Sequence, residues 1–84
     1  MLSNQDVVQC FYDGKAGHNR SLRSTGDKLF SYQTVILQRI RGILVGNTTK
    51  YSRTTSKHQT LAKVHHADST VQHIKGAQDL SQYV

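Results

Sequence analysis

The stretch that most constrains this chain runs from Lys28 to Ile40, KLFSYQTVILQRI. Aromatic and β-branched residues dominate it and it holds no glycine or proline, so it reads as one continuous β-strand. Alternate side chains of a strand share a face. Phe30, Tyr32, Thr34, Ile36, Gln38 and Ile40 therefore fall on one side, and Leu29, Ser31, Gln33, Val35, Leu37 and Arg39 on the other. The first side carries more bulk and is expected to face the core. Arg41-Gly42 then supplies a tight turn, since glycine accepts positive φ, and Ile43-Leu44-Val45 supplies the return strand of a hairpin.

The flanking segments read as helices and loop. Ser3 is placed to cap a helix with Asp6 three residues on, Val7, Val8 and Phe11 give it an apolar face, and Asp13-Gly14 ends it. Gly14 to Asp27 has loop composition, with a short strand around Ser21 to Ser24 turning at Thr25-Gly26-Asp27. Ser56 and Gln59 form a capping-box pattern that opens a second helix with the stripe Leu61, Ala62 and Val64. Ala67-Asp68-Ser69 either breaks that helix or runs through it, after which Val71, Ile74, Ala77 and Leu80 continue an amphipathic pattern interrupted by Gly76. The expected architecture is α+β: a single small domain over residues 1–84, with a short N-terminal helix, an antiparallel β-hairpin or three-stranded meander, and a C-terminal helix or helices.

Charge is the strongest bulk signal. Eleven Lys and Arg against five Asp give a formal charge of +6, and between Lys28 and Ala67 seven cations (Lys28, Arg39, Arg41, Lys50, Arg53, Lys57, Lys63) occur with no acid. A field of that sign favours polyanions such as nucleic acid, or an acidic protein surface; the plainer reading is a solvated face that aids solubility. No apolar run is long enough to span a bilayer, and the first residues lack the pattern of a secretory signal. A lone Cys10 fits a reducing compartment. The expectation is a cytoplasmic protein of a host-cell interior, with no membrane partner.

Catalytic signals are weak. The carboxylates Asp6, Asp13, Asp27, Asp68 and Asp79 are scattered, and none pairs with another at a spacing suited to acid–base work. Gly14-Lys15-Ala16-Gly17 lacks the spacing and trailing residues of a phosphate loop and follows a helix instead of a strand. Cys10 lies on an apolar helix face, where packing is the ordinary role. On a helix His58 and His65, and likewise His66 and His73, share a face but stand two turns apart, too far for one ion to bridge. They read as a polar helix face that gains charge below about pH 6.5. No catalytic residue, metal or cofactor is expected.

Binding is the better-supported class. Asn47 to Gln59, NTTKYSRTTSKHQ, holds six Ser or Thr hydroxyls, three cations, one tyrosine and no acid, just ahead of a helix. Hydroxyls, cations and free helix N–H groups all bind phosphate oxygens, and a tyrosine ring stacks on a base. Ser56 and Gln59 are read as structural. The candidate nucleic-acid-binding residues are Lys50, Tyr51, Arg53 and Lys57, backed by Arg39 and Arg41 on the hairpin. For Tyr51 a core role is the competing reading, and for the cations it is solvated surface.

Several motifs in this order, Phe11-Tyr12-Asp13-Gly14-Lys15, Ser31-Tyr32-x-Thr34 and Tyr51-Ser52-x-Thr54-Thr55-Ser56-x-His58-Gln59, resemble a group of small proteins of tailed phages, prophages and some archaeal viruses. The resemblance covers roughly residues 7 to 66 and departs at Gly46, where a bulkier strand residue is expected. It implies a virus-type accessory protein and assigns no activity to any residue. The expected partner is nucleic acid or a host or viral nucleoprotein complex, with counter-defence as one setting. The alternative is an inhibitor or assembly factor that docks an acidic host or virion protein.

Overall fold

The computed structural model describes residues 2–75 and 78–83. Within them the order is α1 (Asn4–Tyr12), β1 (Ala16–His18), β2 (Leu22–Thr25), β3 (Lys28–Ser31), β4 (Thr34–Ile40), β5 (Ile43–Asn47), α2 (Arg53–Leu61), a 3-10 turn (Val64–His66), β6 (Ser69–Val71) and a second 3-10 turn (Ser81–Tyr83). The strands form one six-stranded sheet in sequence order. β1 to β5 are an antiparallel meander, and β6 joins β5 in parallel after the α2 crossover. The protein is α+β, but the expected hairpin or three-stranded meander with C-terminal helices is wrong. The sheet is twice that size, and α2 is followed by a strand.

The expected long strand is itself a hairpin. Residues 28 to 40 fold back at Tyr32-Gln33, where Tyr32 takes φ 57° and its N–H donates to the Ser21 carbonyl at 2.7 Å. Leu29 pairs with Leu37 but Phe30 pairs with Val35, so Ile36 is the extra residue of a β-bulge. The bulge puts Ile36 and Leu37 on the same side. Leu29, Ile36 and Leu37 join Val7, Val8, Phe11, Leu22, Ala62 and Val64 in the core beneath the helices, while Phe30, Val35 and Val45 line the other face against Leu80. Tyr32, expected in the core, is 55% exposed.

The N-terminal helix is capped as its sequence suggests. The Ser3 hydroxyl accepts from the Asp6 N–H and the Asp6 carboxylate accepts from the Ser3 N–H, both at 3.1 Å. α2 starts earlier than expected. Ser52, not Ser56, is its cap, with its hydroxyl accepting from Thr55 N–H at 3.2 Å. Lys63, in the left-handed conformation at φ 59°, ends the helix. From there the chain lies directly on β5: a Cβ at Gly46 would overlap the Val64 carbonyl oxygen and crowd Ala67. Gly46 is thus the residue that lets the crossover settle and bring β6 alongside β5.

The second sheet face is half covered. Gln38 is buried; its carbonyl accepts from Leu80 N–H at 2.6 Å and its amide donates to the Asp79 carboxylate at 2.8 Å. Leu80 is fully buried against Phe30, Val35 and Val45, worth roughly 1.5–3 kcal/mol of burial. The amphipathic pattern expected through residues 71 to 80 is therefore β6 followed by this strap, with Gly76 and Ala77 outside the described residues. No helix among the described residues is long and apolar enough to cross a membrane.

Candidate functional site

The segment from Asn47 to α2 is held by its own polar groups. Asn47 is fully buried; its amide donates to the Val35 carbonyl at 3.1 Å and to the Tyr51 hydroxyl at 3.0 Å, and its side-chain oxygen accepts from Thr49 N–H. The Tyr51 hydroxyl donates in turn to the Ile74 carbonyl at 2.9 Å. Gln59, buried, donates to the carbonyls of Asn47 and Thr49 at 2.7 and 2.9 Å. Thr48 donates to the Val71 carbonyl and Thr49 accepts from Ile74 N–H. These bonds satisfy the backbone of an irregular connection that would otherwise bury unpaired groups. The Tyr51 hydroxyl thereby bridges two segments of the fold, a scaffold role, while the residue stays half-buried.

Arg39 is drawn inward as well. Its guanidinium donates to the Gly26 carbonyl at 2.6 Å and the Phe11 carbonyl at 3.0 Å, and lies 4.7 Å from the centre of the Phe11 ring. It is thereby a cation on a last-turn carbonyl of α1, a favourable place for positive charge. Arg41 is exposed at the β4–β5 turn, with φ 52°. That turn is at the far end of β5 from Asn47, roughly 15 Å away at strand rise. The six sequence candidates are thus not one cluster.

Lys50, Arg53 and Lys57 remain together at the start of α2, and all three are exposed. Arg53 and Lys57 are one turn apart, and the first turn of α2 carries no acid. A cation at the positive end of the helix dipole and a like-charge pair at i, i+4 each cost an isolated helix a few tenths of a kcal/mol. An anion bound here would reverse both terms.

The expected histidine face of a helix does not form. His58 is buried in α2, 2.7 Å through Nδ1 from the Ser31 hydroxyl, and its ring is 5.9 Å from that of Tyr32. Burial holds its pKa below the ordinary value. His65 and His66 are exposed on the 3-10 turn, and His73 lies beyond β6. Ser31 also donates to Thr55 at 3.4 Å. With Ser31 only 1% exposed, this cluster docks α2 on the β3–β4 turn and does not present a nucleophile. Among the described residues no group of three or more His, Cys, Asp or Glu side chains is placed to hold a metal ion.

One surface escaped the sequence reading. On the half of the second sheet face that no described residue covers, Arg23, Lys28, Phe30, Tyr32, Gln33, Gln78 and Asp79 line an open cleft of about 730 Å³. Arg23 and Phe30 are direct cross-strand partners, with the guanidinium 4.4 Å from the ring centre. The sequence carries no signal for it, because Tyr32-Gln33 reads as the middle of a strand and its exposure follows from a turn that only the structure shows. No protein-family model, curated protein or solved structure matches the chain.

Proposed function

We propose that this chain is a small basic accessory protein that binds nucleic acid, alone or within a nucleoprotein complex, through the start of α2. The observation that carries the reading is the unneutralised placement of Arg53 and Lys57 on α2, joined by exposed Lys50. Acids are the side chains that favour a helix start, and here cations stand where a phosphate would be stabilised by both charge and dipole. The motif resemblance to small phage and archaeal-virus proteins supports an accessory, counter-defence setting. The activity proposed is binding; the buried Ser31 and His58 hold α2 against the sheet.

Binding of labelled DNA and RNA, followed across a salt series, tests this. With about three phosphates engaged, log K should fall against log salt with a slope of roughly −2 to −3. Lys50→Ala, Arg53→Ala and Lys57→Ala should each reduce that slope by about one without lowering the melting temperature. Absence of binding at low salt refutes the proposal.

A second reading has its own observation. Gln5, Val8, Gln9, Tyr12, Leu44 and Leu61 line an open groove between the helices, bordered by Lys63 and His66. Leu61 and Tyr12 are 38% and 40% exposed there. An apolar floor with a basic rim suits an acidic protein surface. A partner captured from host lysate that survives nuclease treatment, and is lost on Leu61→Ser, favours it.

A further inference from the structure

We infer that the half of the second sheet face that no described residue covers is a stacking platform for the bases of single-stranded nucleic acid, so that the strand preferred is unpaired. The inference rests on the nucleic-acid reading above and names the class of strand and a second contact surface. Three observations carry it. The Arg23 guanidinium lies over the buried Phe30 ring, 4.4 Å from its centre, and both residues line the cleft. A guanidinium braced on a ring is held flat, and that plane stacks on a base as an aromatic ring does. Tyr32 is the most exposed of the large hydrophobic side chains described, held at the cleft mouth by a turn that fixes its backbone. Lys28 lies on β3 two residues from Phe30 and lines the same cleft, a cation placed for a phosphate.

The cleft walls fit the edges of a base. Gln33 and Gln78 offer donors and acceptors, and Asp79 offers an acceptor. The Asp79 carboxyl is held down to about 2, first by the Ser81 backbone N–H and then by the Gln38 amide. It stays ionised, which turns phosphates toward Arg23 and Lys28 and leaves amino-bearing base edges for its own side. Duplex nucleic acid hides the faces of its bases within the stack, so only splayed bases can use such a platform. The Tyr32 ring centre is 5.9 Å from that of His58 in α2, so the cleft borders the helix that carries Arg53 and Lys57.

The chain has no tryptophan, so Tyr32→Trp places a single indole fluorophore in the cleft and keeps a ring there. Tyr32→Asn removes the ring, and asparagine tolerates the left-handed backbone of that position. Both variants are titrated with oligo(dT), with duplex DNA of equal length, with inorganic polyphosphate and with poly-glutamate. The expected result is quenching of the introduced indole by oligo(dT) alone, with Tyr32→Asn and Arg23→Ala weakening oligo(dT) binding about 5- to 100-fold and leaving duplex binding unchanged. Equal binding of all four polymers, insensitive to Tyr32→Asn, overturns the platform and leaves a general polyanion binder. No binding of any nucleic acid at low salt overturns the nucleic-acid reading itself, and the platform with it.

Discussion

The Ser31 hydroxyl and the Nδ1 atom of His58 share a 2.7 Å hydrogen bond that joins the end of β3 to the middle of α2. Both residues are buried, and the partner of the imidazole is a hydroxyl, which supplies no negative charge. The folded protein therefore favours the neutral ring, and burial depresses the His58 pKa. The unfolded chain, with an ordinary histidine, binds the proton more readily. Stability contributed by neutral His58 is thus complete above about pH 6.5 and is lost as pH falls from there through the lower folded value. Urea denaturation across about pH 5 to 7.5 should show this loss in the native protein and not in His58→Gln. An identical pH dependence in the two would remove His58 as its source.

Gly46 should tolerate no side chain. The crossover from α2 to β6 lies so close that a Cβ would meet the Val64 carbonyl, a backbone atom that cannot rotate away. Gly46→Ala is expected to cost about 1–3 kcal/mol, read as a lower denaturation midpoint with unchanged slope. Gly42→Ala is a contrasting control: nothing lies within 4 Å of a Cβ there, so any cost comes from its positive φ alone.

Tyr51 should behave as part of the scaffold. Tyr51→Phe removes the bond to the Ile74 carbonyl and one partner of the buried Asn47 amide, at about 1–2 kcal/mol of folding stability. Nucleic-acid affinity of the folded variant should match that of the native protein. Tyr51→Leu, which removes the ring, is the complementary test: a fall in affinity beyond that of Tyr51→Phe, measured on folded protein, would restore Tyr51 as a stacking residue.

Arg39 and Arg53 separate in the same way. Arg39→Ala strips one charge-assisted hydrogen bond from the β2–β3 turn at Gly26 and another, with a cation–π contact, from Phe11 at the end of α1, and should destabilise by about 2–4 kcal/mol. Arg39→Lys should rescue little, because a single ammonium cannot reproduce the planar fork. Arg53→Ala is expected to leave thermal melting unchanged while weakening polyanion binding. Comparing melting curves with binding isotherms for the three variants decides between scaffold and site.

Local signals were legible where they were self-contained. The Ser3 cap, the apolar face of α1 and the turn at Arg41-Gly42 each follow from residues within one turn of chain, whereas the reciprocal bond from Ser3 N–H to the Asp6 carboxylate is the structure's addition. The β3–β4 reversal was not legible because Tyr32-Gln33 holds none of the usual turn residues, and the apolar alternation continues through it. The bulge at Ile36 then shifts the pattern by one residue, so that no single alternation describes both halves. The start of α2 was misplaced because Ser52 and Ser56 both precede a stretch of helical composition, and only packing chooses between them. The buried amide of Gln59 chooses: it is taken by Asn47 and Thr49, which leaves it unable to close a capping box. As for the candidate site, charge along the sequence nominated Lys50, Arg53 and Lys57, which the structure leaves exposed, whereas Arg39 needed three dimensions to reveal its partners.

The sequential order of the sheet has a kinetic consequence. β1 to β5 each pair with the strand next in the chain, so their closure loops are short and their association fast. β6 instead waits for α2 to form and for Val64 to settle on Gly46. The meander is accordingly the expected folding nucleus, and β6 the late element. Amide exchange should follow that order, with Ser69–Val71 opening well before β3 and β4, and mutations in the crossover should speed unfolding while leaving the folding rate nearly unchanged.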